Sequence, residues 1–174
     1  DVVYLDKVGD RMAAAIPTRV GGRHPAHCTA VGKAIMAAGG EGVLGSLGTD
    51  VLPRKTKYSI ASPSQLRTEL NKVRAHGVAF DREESLAGFG CVAASIGDSG
   101  EAVGAVSVCG PMNRMMFDQR LVAPVRMAAL GIWRHIEDGA GRVVPTLQQM
   151  RPFRIGPAAR GYDAAPAPAG LQFA

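Results

Sequence analysis

Cysteine is scarce in this chain of 174 residues: there are three, Cys28, Cys91 and Cys109. Their number is odd and no two stand at short spacing. That argues against the disulfide framework of a small secreted domain and against a zinc finger, which needs paired C-x-x-C type ligands. A reducing, cytoplasmic setting is the expectation. Long apolar runs are missing too; none approaches the ~20 residues of a membrane span, and no basic segment leads into an apolar one as in a signal peptide. A dense Lys/Arg stripe is also lacking. The net charge is +5, but Arg142, Arg151, Arg154, Arg160 and Asp163 supply +3 of it from residue 139 onward, and the first 138 residues carry 16 basic and 14 acidic side chains. Such a body is a poor nucleic-acid binder on its own. The chain begins at Asp1 and not at Met, so it reads as a processed product or an excised domain.

What is present is enough for one domain with a single core: 47% of the residues are hydrophobic. Asp1 to Ile16 reads as two short strands, DVVYLDKV and RMAAAI, around Gly9-Asp10, and Pro17 to Pro25 as a loop. A helix follows, with Val31, Ala34, Ile35 and Ala38 on one apolar face, and Gly39-Gly40 ends it. A short helix is expected over Glu41 to Leu47, and Thr49 to Ala61 is irregular. Ser62 to His76 carries a full set of helix signals: Ser62 as N-cap, Pro63 at the first position, Gln65 three residues after the cap, Leu66, Leu70 and Val73 as a stripe, and Gly77 as the stop. Val78 to Asp81, Cys91 to Ile96 and Ala102 to Cys109 are strand-like. The turn Asp98-Ser99-Gly100-Glu101 should pair the last two antiparallel. Asp118 to Asp138 is helical, with Leu121, Val125, Ala128, Ile132 and Ile136 expected inward and Pro124 in its second turn. The order β-β-α-α-α-β-β-β-α predicts an α+β domain over 1–138, followed by a Pro/Ala/Gly/Arg-rich tail over 139–174 expected to be disordered.

The pair Gly32-Lys33, just inside a helix start, suggests phosphate binding. A P-loop needs G-x-x-x-x-G-K-[ST]; here Ala34 replaces the hydroxyl residue and His27 stands where the first Gly belongs, so the nucleotide reading fails. The helix N-terminus could still hold a small carboxylate on its unpaired N–H groups, or be capped by Thr29 or by water. On the strand Ala102 to Cys109, Val103, Ala105, Ser107 and Cys109 share one face, lined by small and weakly polar groups that leave room for a ligand or for close helix packing. Asp81-Arg82-Glu83-Glu84 is an acidic cluster, but His24, His27, His76 and His135 are too scattered to give it a metal ligand set. His27 and Cys28 are adjacent on a helix and do not face each other, which disfavours a Cys-His nucleophile.

Three blocks, H-C-T-A-V-G-K-A from His27, RAHGVAFDREES from Arg74 and CVAASIGDSGEAVGAVSVCGP from Cys91, occur in order and at matching spacing. Together they make residues 1–138 resemble the effector-binding domain of IclR-type transcriptional regulators. The resemblance implies a GAF-like α+β fold with a curved antiparallel sheet. It implies a domain that senses a small metabolite, often a carboxylic acid, assembles as a homodimer or tetramer, and acts on operator DNA through an N-terminal winged helix-turn-helix that this chain lacks. It implies no catalysis, cofactor or metal. Carried over by position, it puts the effector's carboxylate on the backbone N–H groups of Ala30 and Val31, a polar wall on Asp81, Cys91, Ser107 and Cys109, and an apolar side on Ala13 and Ile16, with Lys33 turned away. Cys109 stands where a second Ser is common, replacing a strong donor by a weak one. Asp81 beside a bound carboxylate favours an effector with a hydroxyl or similar donor at its far end. The alternative is a redox or metal sensor using Cys91 and Cys109.

Overall fold

The structure is a computed structural model that describes residues 1–9, 16, 18–40, 42–45, 51–98, 100–115 and 119–140. In chain order its elements are β1 (Val2–Val3), β2 (Arg23–His24), a 3-10 turn (Ala26–Cys28), α1 (Ala30–Ala38), α2 (Gly42–Gly45), α3 (Pro63–His76), β3 (Ala79–Arg82), β4 (Phe89–Asp98), β5 (Glu101–Pro111) and α4 (Gln119–Ala140). By its contacts the chain divides into two units, Asp1–Asp138 and Gly139–Ala174. The expected mixture of helices with an antiparallel sheet is what the fold contains.

The main sheet has the order β3-β4-β5, antiparallel throughout. Counting outward from the Asp98–Glu101 turn, with one slip at Ile96/Gly97, fixes the register and sets Cys91 opposite Cys109 and Ala93 opposite Ser107. Alternation along the strands then builds two cores. Ala79, Cys91, Ala93 and Ala105 face α1 and α3, where Val31, Ala34, Leu66, Leu70 and Val73 pack. Val78, Val92 and Ala94 face the other way, onto Val125 and Ala129 of α4.

The helix signals at Ser62 are realised. Ser62 Oγ accepts from the Gln65 amide at 3.3 Å, while Gln65 Oε1 accepts from the Ala61 amide at 3.2 Å, so the reciprocal bond lands one residue earlier than a standard capping box would place it. Gly77 closes the helix at φ 71°, a left-handed angle that glycine adopts without steric cost.

Three expectations need correction, and a fourth lies almost wholly outside the described residues. Of DVVYLDKV only Val2–Val3 is strand, and its partner is Arg23–His24, from the segment read as loop. RMAAAI falls outside the described residues except for Ile16, which sits in a bend. Helix α1 is not amphipathic: Gly32, Lys33, Met36 and Ala37 are buried along with Val31 and Ala34, because sheet, α3 and the 83–88 turn surround it. On α4, Val125 is buried, but Ala128 is exposed and Ile132 and Ile136 are 39% and 42% exposed. The sheet covers only the row through Val125 and Ala129, and the neighbouring apolar row is left outside.

Candidate functional site

Helix α1 begins where Thr29, extended at φ −108° and ψ 144°, turns its hydroxyl back: Oγ1 accepts from the Gly32 amide at 3.3 Å and lies 3.2 Å from the Pro25 carbonyl oxygen, to which it donates. The Ala30 and Val31 amides belong to the first turn, where the helix itself offers no acceptor. Both residues are buried, at 1% and 9% exposure. Gly32 has a steric role. A Cβ there would fall onto the backbone of Ala26, so the close seat of α1 on the 3-10 turn depends on glycine.

Lys33 is fully buried. Its Nζ donates to Glu84 Oε1 at 2.6 Å and lies 3.5 Å from Glu69 Oε1. The Gly-Lys pair is therefore half packing contact, half internal ion pair, and neither residue serves a phosphate. Glu84 Oε2 is buried without a hydrogen-bond partner, and burial pushes the Glu84 carboxyl above its ordinary range against the pull of Lys33. Local pattern did not expose Glu84 as a buried charge, because its partner lies 51 residues away.

Asp81 is 1% exposed. Its Oδ1 accepts from the Glu84 amide at 2.7 Å and the Ser85 amide at 3.3 Å, and its Oδ2 accepts from the Ser85 hydroxyl. Burial raises its pKa, and these bonds work in the opposite direction. Asp81 thus organises the turn after β3. Ser59 Oγ and Thr56 Oγ1 each donate at 2.6 Å, to the Glu84 and Glu83 carbonyls, and clamp the turn from the other side. Within this acidic cluster Arg82 is exposed while Glu84 is buried.

Ile16, Ser107 and Cys109 line one cavity of about 380 Å³, together with Tyr4, Lys7, Thr18 and the end of β5. Lys7 Nζ donates to the Ile16 and Thr18 carbonyls at 2.9 and 3.0 Å, closing one end of the cavity. Tyr4 lines this cavity, and its phenol pKa is raised by burial first, then by the negative charges of Asp81 and Cys28. Ala30, Val31, Asp81 and Cys91 are not among the cavity's lining. Val31 and Cys91 pack in the adjoining core, on the sheet face that also carries Ala105. Ala13 lies outside the described residues. Sequence reading missed Tyr4, Lys7 and Thr18, whose segment it assigned to strand and loop. A larger groove of about 870 Å³ runs along α4 past Arg74, Arg126 and Trp133, and holds none of the expected residues.

The cysteines separate into a pair and a single. Cys91 and Cys109 are joined as a disulfide, with Cα atoms 4.1 Å apart. The sequence argues against a secreted disulfide framework, and the pairing is a single one; the hairpin register, not sequence spacing, brings the two together. Cys28 is fully buried, its thiol donates to the Pro25 carbonyl oxygen at 3.6 Å, and burial pushes it up to about 11. His27 Nε2 donates instead to the Pro53 carbonyl at 2.9 Å, so His27 is not placed as a base for the Cys28 thiol. Among the described residues no group of three His, Cys, Asp or Glu side chains converges as metal ligands.

Residues 1–134 match the family model for the bacterial transcriptional regulator IclR C-terminal region. The chain belongs to the IclR family. The HTH-type transcriptional regulator KdgR of Dickeya chrysanthemi is 31% identical over 144 residues, which cover 80% of this chain and 46% of that protein. The crystal structure of IclR from Thermotoga maritima superposes with a TM-score of 0.67 at 31% identity, over 77% of this chain and 56% of that one. An IclR homologue from Microbacterium hydrocarbonoxydans, crystallised as a complex with 4-hydroxybenzoate, gives 0.63 at 25% identity, over 70% and 50%. The IclR-family relatives are transcriptional regulators, not enzymes. The chain spans about half the length of the curated relatives it matches. No helix among the described residues is long and apolar enough to cross a membrane.

Proposed function

We propose that residues 1–138 are the small-molecule-sensing domain of a cytoplasmic DNA-binding regulator and that the effector is a small carboxylic acid. Its carboxylate sits on the Ala30 and Val31 amides, and its body reaches along the sheet toward Ser107 and Cys109. The observation that supports this reading is the cavity walled by Ile16, Ser107 and Cys109 on the sheet face that α1 partly covers, which would hold the body of the ligand, while the Ala30 and Val31 amides lie in the adjoining core outside its lining. Ala13 would extend its apolar side. Asp81 would act on the far end of the ligand, through Tyr4 or directly, although its own turn already engages both oxygens. The relative crystallised with 4-hydroxybenzoate supports the class, since that molecule carries a carboxylate at one end and a hydroxyl at the other.

Operator binding would belong to a segment outside this chain, and the effector would act by favouring one subunit pose over another. Homodimers or tetramers fit the exposed Met127, Leu130, Ile132 and Ile136 of α4. Sedimentation of Ile132→Asp/Ile136→Asp should then show a smaller species than the parent, and an unchanged mass would exclude that surface. The pocket itself is tested by a thermal-shift screen against small carboxylic, hydroxy and aromatic acids and nucleotides. A ligand at 100 times its dissociation constant adds about 2.7 kcal/mol, roughly 5–10 °C here. One class of acid should raise the melt and Ser107→Ala should abolish the rise; no response to any acid would refute the reading.

A further inference from the structure

We propose that Cys91 and Cys109 are a reversible dithiol–disulfide modification site in the wall of the candidate pocket, so that effector affinity reports the thiol state. The inference rests on the pocket reading above for its second half only. The two residues are directly opposed in the register, flanked by the pairs Gly90–Gly110 and Val92–Val108, with Cα atoms 4.1 Å apart. The ladder holds the sulfurs together whether or not they are bonded. Both residues are half-buried, within reach of a small oxidant, and Cys109 lines the cavity. The remaining thiol cannot compete: Cys28 has no exposed surface and its thiol is pushed up to about 11.

The chemistry is balanced with a peroxide as oxidant. The thiolate of one cysteine attacks the O–O bond, giving a sulfenic acid and hydroxide, which takes up the released proton as water. The second thiol attacks the sulfenic sulfur, the S–S bond forms and a second water leaves. Two thiols of a reductant reverse the step by exchange. In the disulfide, Cys109 has no S–H to offer a ligand, and its sulfur lies 3.9 Å from Ser107 Oγ. In the dithiol the same sulfur carries a weak S–H donor again.

The test uses the full chain, reduced with dithiothreitol or treated with hydrogen peroxide, then alkylated under native conditions and mapped by mass. Cys91 and Cys109 should be labelled after reduction and protected after peroxide, with Cys28 labelled only on unfolding. Retention of both labels after peroxide, or failure of dithiothreitol to restore them, overturns the site. The acid found by the screen is then titrated into both forms. Tighter binding to the dithiol by about fivefold is expected, the size one hydrogen bond gives, and Cys109→Ser should bind with no dependence on peroxide. Equal affinities overturn the coupling. If the pair cycles while neither form responds to any acid, the modification site is supported and the pocket reading is the part that fails.

Discussion

Replacing Lys33 by Met removes the cation from a site with no access to water and leaves Glu84, at 8% exposure, facing the hole. Among the described residues Lys33 is the one hydrogen-bond partner of Glu84 Oε1, at 2.6 Å, and Oε2 has none. Breaking one side of a buried ion pair costs about 3–5 kcal/mol, whereas replacing both sides by apolar groups of similar volume is often near neutral. Lys33→Met should therefore lower the melt by about 10–20 °C for a unit of this size. Lys33→Met/Glu84→Leu should recover most of the loss, which gives a coupling energy of at least about 3 kcal/mol. Urea unfolding followed by circular dichroism measures all four members of the cycle, and an unchanged dependence on urea would show that the unfolded state is not the cause. A single-variant cost below about 1 kcal/mol, or a double variant that costs the sum of the singles, would refute the account of Lys33 as an internal counter-ion.

Gly32→Ala should destabilise by about 3 kcal/mol, the upper end of the overpacking range, because the added carbon meets the backbone of Ala26 and not a side chain that can turn aside; a thermal melt reads it, and a loss under about 1 kcal/mol would mean that the 3-10 turn gives way easily. Burial raises the Asp81 and Glu84 carboxyls above their ordinary values. The folded state then binds more protons than the unfolded one between those ordinary values and the raised ones, so this contribution is full below the window and lost as pH rises through it. Melts taken across that window should fall with rising pH more steeply for the parent than for Glu84→Gln, and parallel curves would contradict the burial argument.

Where the pattern is local, the sequence carried the structure. Ser62, Pro63, Gln65 and Gly77 each act within one helical turn, and α3 formed where they point. The Asp98–Glu101 turn set the hairpin for the same reason. Pairings across long separations were not legible. The strand Val2–Val3 finds Arg23–His24, and Lys33 finds Glu84, through the closure of the fold, with no short motif to announce either. Cys91 and Cys109 are an intermediate case: their apposition follows from the hairpin, but only after allowing for the slip at Gly97. Along α4 two apolar rows compete for the sheet, and periodicity does not say which one the sheet will cover. Ser107, Cys109 and Ile16 are singled out by the family resemblance and line one cavity in the structure, together with Tyr4 and Lys7, which the resemblance does not foresee.

The claim at the centre is that the first turn of α1 holds a carboxylate through backbone amides. Ala30 is the first helical residue, where proline is tolerated, and Thr29 before it already has the extended angles that proline demands, φ −108° and ψ 144°. Ala30→Pro thus deletes one N–H while keeping the helix. Isothermal titration of the acid selected by the screen, into the parent and into Ala30→Pro, is the direct measurement. A hydrogen bond to a charged group is worth about 1.5–3 kcal/mol, so affinity should fall by roughly 10- to 150-fold; the ring at this buried position also costs about 1–3 kcal/mol of stability, read separately from the melt of the free protein. Equal affinities in the two proteins would place the carboxylate elsewhere and contradict the account.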